Sequence, residues 1–453
     1  MDLSIGKSLI LRNLSKRELG RIKSDLTFLN PAWDEAIKFS RSTWGIKKYI
    51  RLYKEKERYL EVPRGYLYDL ISLFGYPESV LDTTSYFPPV EIESKIQLRP
   101  LQAPWVDAML KVPQGLGIAP SGCGKTVMLL EVIAKLGQPT LWLTHRERLL
   151  VQFVNRTKEF LGDVGHIGII GGGEYSIGDV ITVGMVDTLA ERDLSEIWNK
   201  FGLIVVDEGH RVPCDTMYKV ITQFSARRLY IITATPYRQD GLEPIMFRAA
   251  GPAIATITRE EAIEANLILP AKILVVNIDW PDNCKNLRYQ TVMKKLAHVE
   301  SRNDRIATDI LIEAALGNVC IILTVQVKHG KMLKEKLAEL GVEAEHVHAK
   351  TSEKKRNNAI DRFEEGEIQV LIATYNLLSE GFDNKFASRL FLAAPRKSKA
   401  LVTQSIGRIE RVAEGKTNSL VYDYVDTISS LTKQFYARER VYEENLNEII
   451  YLE

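Results

Sequence analysis

Cysteine is scarce in this 453-residue sequence, and its four cysteines lie far apart. No CxxC or Cys/His spacing is present, which argues against a zinc site and against a disulfide framework and favours a reducing interior. No apolar run approaches the roughly 20 residues of a membrane span. The first residues, MDLSIGKSLILRNLSKREL, lack the apolar region and cleavage site of a signal peptide. We therefore expect no structural metal and no membrane contact.

Charge of one sign is also lacking. The 60 Lys/Arg nearly balance the 58 Asp/Glu, so the net charge of +2 identifies no partner. With 45% hydrophobic and 26% charged residues, the composition is that of a globular protein. Residues 1–64, however, carry 15 Lys/Arg against 8 Asp/Glu, a local excess of +7 (15 − 8). This excess is compatible with binding a phosphate backbone, and equally with a solvated surface.

Two successive series of apolar, β-like runs alternate with helical patterns. Such alternation is typical of parallel sheets covered by helices, so we predict two α/β units in tandem. The residues before them lack this rhythm and combine helical segments (15–26 and 65–74) with a possible hairpin (47–62), which predicts a small α+β domain. The predicted domains are 1–95, 96–267 and 268–453. The runs are GLGIA, TLWLT, VITVG, LIVVD and LYIIT in the first series, and AKILVVNI, VCIILTV, IQVLIAT, RLFLAA and NSLVYDY in the second.

The segment APSGCGKT, residues 119–126, separates a predicted strand from an amphipathic helix. Backbone N–H groups of such a glycine-rich loop, together with the helix N-terminus, form an anion site. The pattern predicts that Lys125 reaches the β- and γ-phosphates of a nucleotide and that Thr126 helps to hold Mg²⁺. Ala119 replaces the first glycine of the strict motif. The candidate nucleotide-binding residues of the loop are Ser121, Gly122, Cys123, Gly124, Lys125 and Thr126.

A pair of acids follows the apolar run LIVV in LIVVDEGH, residues 203–210. The carboxyl end of a parallel strand is where α/β proteins bind ligands. We predict that Asp207 holds Mg²⁺, directly or through water, and that Glu208 orients or deprotonates the attacking water. A helix cap would also explain two acids at this position.

With the phosphate loop, DEGH resembles motifs I and II of the superfamily 2 helicases and translocases, and further motifs of that family follow in order. The resemblance implies two RecA-like domains, ATP as cofactor with Mg²⁺, and roles for several more residues. Arg99 and Gln102 in LRPLQ would recognise adenine, and His210, Thr233 and Thr235 would couple the nucleotide to the track. THRERLLVQF, VGMVDTL and TPYRQDG resemble track-contacting motifs, the last as in XPB-like proteins and restriction translocases. The contacts implied there are Thr144, His145, Arg146, Thr188 and Arg238.

The second α/β series carries the family's remaining motifs. VLIATYNLLSEGFD resembles motif V, which implies that Thr374 contacts a strand phosphate and that Gly381 and Asp383 lie near the ribose. QSIGRIER resembles motif VI. As a helix, it would place Gln404, Arg408 and Arg411 on one face, at i, i+4 and i+7. The two arginines could then stabilise the transferring phosphoryl group, with ATP bridging both units; a solvated basic helix is the alternative.

Residues 30–76 resemble the N-terminal domain of phage recombination helicases of the UvsW type, which remodel branched DNA. Basic residues there are interspersed with tyrosines, a mixture of phosphate-binding charge and stackable rings that suits nucleic acid. A half-buried hairpin with a basic solvent face would give the same pattern. The predicted DNA contacts are Lys47, Lys48, Arg51 and Lys54.

The sequence therefore predicts an ATP-dependent DNA helicase or translocase that unwinds forks and branch-migrates junctions. We expect a monomer in the cytoplasm of a bacterium or of a phage-infected host. Three alternatives remain at this point: an RNA helicase, the motor subunit of a restriction system, and a non-catalytic DNA-binding protein. No paired-acid nuclease pattern supports cleavage by this chain alone, and the intact motor motifs argue against the non-catalytic alternative.

Overall fold

The computed structural model describes residues 1–213, 215–237, 240–280, 289–378 and 384–452. Three predicted site residues, Arg238, Gly381 and Asp383, lie outside the described residues. Two compact units divide the chain: residues 1–120 and 124–258 form the first, and residues 121–123 and 259–453 form the second. Among the described residues, none of the helices combines the length and the apolar character needed to cross a bilayer.

The N-terminal region folds as a sheet in the order β5-β6-β2-β1-β7, with a separate antiparallel pair, β3-β4. Helix α1 begins at a capping box: Ser15 Oγ accepts from the Glu18 amide, and the Glu18 carboxylate accepts from the Ser15 amide at 2.7 Å. The elements are β1 (Asp2–Ile5), β2 (Leu9–Arg12), α1 (Lys16–Asp25), β3 (Thr27–Leu29), α2 (Pro31–Lys38), β4 (Tyr49–Arg51), β5 (Lys54–Lys56), β6 (Tyr59–Val62), α3 (Leu67–Phe74) and β7 (Ser79–Asp82).

The first unit also contains a sheet in the order β11-β10-β12-β9-β13-β14-β8-β15, parallel except for β11. Its central strands are buried apolar runs, as expected when helices cover both faces. The elements are α4 (Gln102–Lys111), β8 (Gln114–Ile118), α5 (Lys125–Leu136), β9 (Thr140–Thr144), α6 (Glu147–Phe160), β10 (Gly168–Gly171), β11 (Glu174–Tyr175), β12 (Ile181–Met185), α7 (Val186–Ala190), β13 (Leu203–Val206), α8 (Asp215–Ile221), β14 (Arg228–Thr233), α9 (Glu243–Ala250) and β15 (Ala253–Thr256).

A short 3₁₀ turn, Arg64–Tyr66, docks the N-terminal region on this sheet. The Arg64 guanidinium, 6% exposed, donates to the carbonyl oxygens of Ala226 and Arg227, and the Gln114 side chain donates to the Arg64 carbonyl at 3.0 Å. Gly65 packs directly on the end of α9: a methyl group built there would lie 2.5 Å from the Phe247 carbonyl oxygen. These contacts make the N-terminal region part of the first unit.

The second unit is built on a fully parallel sheet in the order β18-β19-β17-β20-β21-β16-β22. The elements are α10 (Arg259–Glu264), β16 (Lys272–Ile278), α11 (Tyr289–Leu296), α12 (Glu300–Ala315), β17 (Val319–Thr324), α13 (Val327–Glu339), β18 (Ala344–Val347), α14 (Glu353–Glu364), β19 (Val370–Thr374), α15 (Tyr375–Leu378), β20 (Ala387–Leu392), α16 (Lys399–Ile409), β21 (Leu420–Asp426), α17 (Ser429–Glu444) and β22 (Ile449–Leu452).

Two buried ion pairs connect β21 to its covering helices. Arg302 of α12 donates to Asp426 at 2.7 Å, and Arg438 of α17 donates to both carboxylate oxygens of Asp423 at 2.7 and 2.8 Å. Tyr442 donates a further hydrogen bond to Asp423 at 2.7 Å. Because these groups are almost fully buried, removing one partner would leave the other charge without compensation, at a cost of about 3–5 kcal/mol.

The α/β fold class and both predicted series of strands are confirmed, each run coinciding with a strand of one of the two sheets. The domain boundaries at 95/96 and 267/268 remain a prediction. The predicted hairpin over 47–62 is wrong in its first part, because β4 pairs with β3 and the hairpin consists of β5 and β6. The helical C-terminal tail is confirmed as α17, but the edge strand β22 was not predicted.

Substituting Gly65 with Ala tests the docking of the N-terminal region. Because the added methyl group would meet the carbonyl oxygens of Phe247 and Arg248 at 2.5 and 2.6 Å, we expect Gly65→Ala to destabilise the first unit by about 1–3 kcal/mol. Urea unfolding and limited proteolysis measure the effect. Gly20→Ala is the matched control: Gly20 lies in α1 with open space around it, so this change should stabilise by about 0.5–1 kcal/mol. Equal stability of the two variants would contradict the proposed docking.

Candidate active site

The glycine-rich loop follows β8 and leads into α5, as predicted. Gly122 has a φ of +91° and Gly124 a φ of +79° with ψ of +33°, backbone conformations that favour glycine. Helix α5 begins without a side-chain cap. Since the first N–H groups of a helix have no intrahelical acceptor, an uncapped N-terminus of this length suits a phosphate group.

Lys125 and Gln102 both lie against this loop. Lys125 Nζ donates to the carbonyl oxygens of Ala119 and Pro120 at 3.1 Å each, which places the ammonium over the loop. Gln102 begins α4 and is only 7% exposed; its Nε2 is 2.9 Å from where a Cβ on Gly124 would be. Its Oε1 accepts from the amide of Arg99, an exposed residue, at 2.9 Å. The predicted adenine-reading pair is therefore adjacent to the phosphate loop.

Asp207 and Glu208 follow β13, two strands from β8 in the sheet order. Burial and the neighbouring Glu208 carboxylate raise the pKa of Asp207 to about 6, and the nearby Lys125 ammonium partly opposes this shift. Asp207 Oδ1 accepts from the Glu208 amide at 2.9 Å. The raised pKa shows that the charged form of Asp207 is destabilised where it lies. A carboxylate with a shifted pKa beside a lysine and a glycine-rich loop is expected of a functional site.

Glu208 has a left-handed backbone, with φ of +56° and ψ of +54°. This conformation is uncommon outside glycine and concentrates at functional sites. It turns the chain sharply out of β13, and the Glu208 carboxylate lies 3.2 Å from the Nδ1 of His210. The proposed coupling histidine and the proposed catalytic glutamate are thus in contact.

The other two coupling residues connect the end of β14 to the same site. Thr233 Oγ1 accepts from the Thr235 amide at 3.2 Å and donates to its carbonyl at 3.0 Å. The Thr233 carbonyl accepts from the Ala119 amide at 3.2 Å, which ties this turn to the first residue of the phosphate loop. This hydrogen bond therefore connects the phosphate loop directly to the end of β14.

The predicted track contacts of this unit lie at the ends of strands β9 and β12. Thr144 is buried, Arg146 is exposed immediately before α6, and Thr188 is half-buried in α7. His145 is half-buried, and burial, reinforced by the positive charge of Arg211, lowers its pKa to about 3. The predicted contact of His145 with the track stays a prediction, and it would be made by a neutral ring.

In the second unit, Thr374 ends β19 and is half-buried. Gln404 and Arg408 lie one turn apart on α16 and are both half-buried, as predicted. The prediction that Arg411 continues the same helical face is wrong. Helix α16 ends at Ile409, and Arg411 adopts an extended backbone paired with Ile268.

The sequence analysis missed the residues that hold this helix end. The Glu410 carboxylate, 1% exposed, accepts from the Arg259 guanidinium at 2.6 and 2.9 Å and from the Ala271 amide at 2.9 Å. Lys416 Nζ donates to the carbonyls of Ile409 and Arg411 at 2.5 and 3.0 Å. Arg259 and Ala271 lie 151 and 139 residues from Glu410, so only the tertiary fold reveals that they help to fix the backbone before Arg411.

The predicted N-terminal DNA contacts, Lys47, Lys48, Arg51 and Lys54, are all exposed. They are divided between the β3-β4 pair and the edge strand β5 of the larger sheet. Tyr49 is exposed as well, whereas Tyr53 and Tyr59 are half-buried. The basic residues are therefore available to a ligand, and of these tyrosines Tyr49 exposes the most ring surface.

Comparison with known protein families finds one match in each of the two α/β parts of the chain. The family model "Type III restriction enzyme, res subunit" matches residues 95–238, which include the phosphate loop and DEGH. "Helicase conserved C-terminal domain" matches residues 303–413, which include Thr374 and α16. The chain belongs to the superfamily 2 helicases. Each match covers most of the strands of one of the two α/β sheets, and the predicted RecA-like fold is confirmed.

Curated relatives of the helicase include viral and archaeal proteins. Putative helicase 22 of a Sulfolobus islandicus filamentous virus is 24% identical over 76% of this chain and 66% of its own length. The DNA 3'-5' translocase XPB2 of Sulfurisphaera tokodaii is 28% identical over 74% of this chain and 82% of its own. The first of these relatives therefore has about a third of its length outside the match.

Solved structures similar to this helicase show the fold. An HsdR fragment of a type I restriction enzyme from Vibrio vulnificus has a TM-score of 0.57 at 20% identity, covering 74% of this chain and 65% of its own. S. cerevisiae Dbp5, bound to RNA and ADP BeF3, has a TM-score of 0.56 at 17% identity, covering 80% and 90%. T4 UvsW covers 100% and 99% at 18% identity with a TM-score of 0.41.

The helicase family uses ATP, and the site geometry fits that nucleotide. The glycine backbone of the loop, the uncapped start of α5 and Lys125 supply donors for phosphate oxygens. Asp207 and Thr126 present oxygens of the kind that Mg²⁺ prefers. Such an ion would neutralise the charge on the β- and γ-phosphates, while Glu208 could orient water.

Replacing Asp207 with Asn should stabilise the nucleotide-free protein. Because the pKa of Asp207 is raised in the folded state, the folded protein binds more protons than the unfolded chain between about pH 4 and 6, and the charged form costs stability above that window. We expect Asp207→Asn to gain about 1–2 kcal/mol at pH 8 in EDTA, with the gain shrinking below pH 6. Urea unfolding measures it; the exposed Asp187→Asn should show no such gain. A gain independent of pH would contradict the assigned cause.

Proposed function

We propose that this helicase is an ATP-driven motor on DNA that unwinds forks and branch-migrates junctions. We call the N-terminal region, residues 1–82, the module. The observation that carries the proposal is the docking of this module, with its exposed basic residues, onto the unit that holds Lys125 and the DEGH segment. Since Arg64 and Gly65 dock the module on the first unit, the module would move with Lys125 and the DEGH segment throughout the ATP cycle. The relative named a DNA translocase supports DNA as the track.

The proposed residue roles are those that the motif resemblance implies. Lys125 and the loop would bind the phosphates, Asp207 and Thr126 would hold Mg²⁺, and Glu208 would orient the attacking water. Arg408 and Arg411 would stabilise the charge on the transferring phosphoryl group, with Gln404 supporting them. His210, Thr233 and Thr235 would transmit the state of the nucleotide, because His210 contacts Glu208, Thr233 contacts the loop and Thr235 is hydrogen-bonded to Thr233.

The track contacts complete the proposal. Thr144, Arg146, Thr188 and Thr374 lie at or just beyond the carboxyl ends of their strands, where a strand of nucleic acid could be held and released. The basic residues of the module would bind phosphates of the second branch of a fork or junction. We propose that the protein works as a monomer.

RNA as the track is tested by measuring ATP hydrolysis. An RNA track is the alternative that the fold itself allows, since Dbp5 shares the fold and its structure contains RNA. ATP hydrolysis should be stimulated most by forked DNA, less by blunt duplex and least by RNA of the same sequence. Greater stimulation by RNA would overturn the DNA proposal.

Remodelling of a synthetic four-way junction tests branch migration separately, and fork unwinding without junction movement would refute that part.

The motor subunit of a restriction system remains the second alternative, because the family model over residues 95–238 is described for a restriction enzyme. Incubation of the chain with ATP, Mg²⁺ and supercoiled DNA distinguishes the two functions. We expect the DNA to remain uncut. Nicked or linear products that disappear in EDTA would favour the restriction alternative.

Glu208→Gln should bind ATP and hydrolyse it very slowly. The substitution preserves the size and polarity of the side chain but removes the carboxylate, so we expect turnover to fall at least about 100-fold, the usual contribution of a positioned base. Phosphate release measures turnover, and a fluorescent ATP analogue measures binding. Glu196→Gln, an exposed position of the same unit, is the control and should behave as the wild type. Turnover within a few-fold of the wild type would refute the role of Glu208.

A further inference from the structure

A small part of the N-terminal module exposes apolar side chains to solvent. We call residues 27–51, comprising β3, α2, the following turns and β4, the arm. Within the arm, every residue of which is described, Ala36 is the only buried side chain. Trp44 is 92% exposed. The other large apolar side chains exposed in the arm are Leu29, Ile37, Phe39 and Tyr49.

The arm is nevertheless held in a defined conformation. Asn30 performs two tasks: its Oδ1 accepts from the Ala32 amide at 3.0 Å, capping α2, and its Nδ2 donates to the Lys47 carbonyl at 2.8 Å. Trp44 lies in a turn closed by the Ile46 amide, which donates to the Thr43 carbonyl at 3.0 Å. The indole therefore extends from a hydrogen-bonded turn, whose backbone conformation is defined.

The charge in and beside the arm is mainly positive: its two acids, Asp34 and Glu35, lie in α2, and Glu35 pairs with Arg41 at 3.8 Å. From Ala36 to Lys54 the chain carries six Lys/Arg and no Asp or Glu. The Arg41 guanidinium lies 5.2 Å from the centre of the Phe39 ring, and the Lys48 ammonium lies 5.3 Å from that of Tyr49. An apolar patch on a monomer commonly marks a binding surface, and this one is surrounded by cations that would oppose a basic partner and attract phosphate.

We propose that the arm binds nucleic acid where the face of a base is exposed, with Trp44 stacking on that base. The cations of the arm would then contact the adjacent phosphates. Stacking requires an unstacked base face, and the interior of a duplex offers none. Single strands, forks, junctions and duplex ends do offer one, so the arm would direct the protein to them. The proposal rests on the proposed function only for the nature of the track.

The test measures binding by the full-length protein without nucleotide, so it remains informative even if the motor function is wrong. Fluorescence anisotropy gives the affinity for a single-stranded oligonucleotide, a fork and a blunt duplex; closed circular duplex, which has no ends, serves as competitor. Trp44→Ala should weaken binding to the single strand and the fork about 5- to 100-fold, as expected for losing one stacked base. Competition by the closed circle should change less than about twofold.

Two further variants separate stacking from general effects. Trp44→Phe keeps an aromatic face and should retain most of the affinity. Tyr76→Ala removes another ring of the same module, 87% exposed but close in sequence to Glu78, and should bind as the wild type. Unchanged ATP hydrolysis in the absence of nucleic acid would show that Trp44→Ala is folded.

Three results would overturn the proposal. Wild-type affinity of Trp44→Ala for the single strand, the fork and the blunt duplex alike would point to a protein occupant of the arm. An equal loss on the closed circle would show that the ring does not read base faces. Failure of Trp44→Phe to restore binding would exclude stacking. If the blunt duplex loses affinity and the single strand does not, the arm recognises terminal base pairs and not unpaired bases, which supports the proposal in that narrower form.

Discussion

The parallel direction of the strands is the constraint on which the rest of this structure depends. When strands are parallel, their carboxyl ends meet at one edge of the sheet, and every loop that leaves this edge is close to its neighbours. The phosphate loop after β8, the DEGH segment after β13 and the Thr233 turn after β14 are therefore gathered without any direct sequence proximity. Thr374 after β19 follows the same rule in the second unit.

The site at this edge is held at a cost in stability. Asp207 is kept partly desolvated beside another carboxylate, which raises its pKa, and Glu208 occupies a left-handed backbone. The surrounding buried strands supply the apolar burial that offsets such local costs. The second unit keeps its own motif in place by different means, since the buried Glu410 carboxylate and the Lys416 ammonium secure the backbone around Arg411. Both devices position a side chain before any substrate arrives.

The N-terminal module combines a buried part and an exposed part that differ in role. Its core, around Leu9, Leu11 and Tyr66, and its docking turn at Arg64–Tyr66 are buried and make it an extension of the nucleotide-binding unit. The arm, in contrast, has almost no core of its own and presents rings and cations outward. Because the module docks on the first unit and the arm is exposed, a ligand on the arm would be carried with the sheet that precedes Lys125 and the DEGH segment.

The sequence by itself determined the tandem α/β sheets and the nucleotide motifs, because apolar runs of strand length and a glycine-rich loop are local signals. The same local reasoning placed Arg411 on a helix that ends before it. It could not foresee that Glu410 would meet Arg259, or that Arg64 would donate to Ala226, since these partners are separated by 151 and 162 residues. Only the tertiary structure decided these contacts, because burial and the pairing of distant groups depend on how the elements pack.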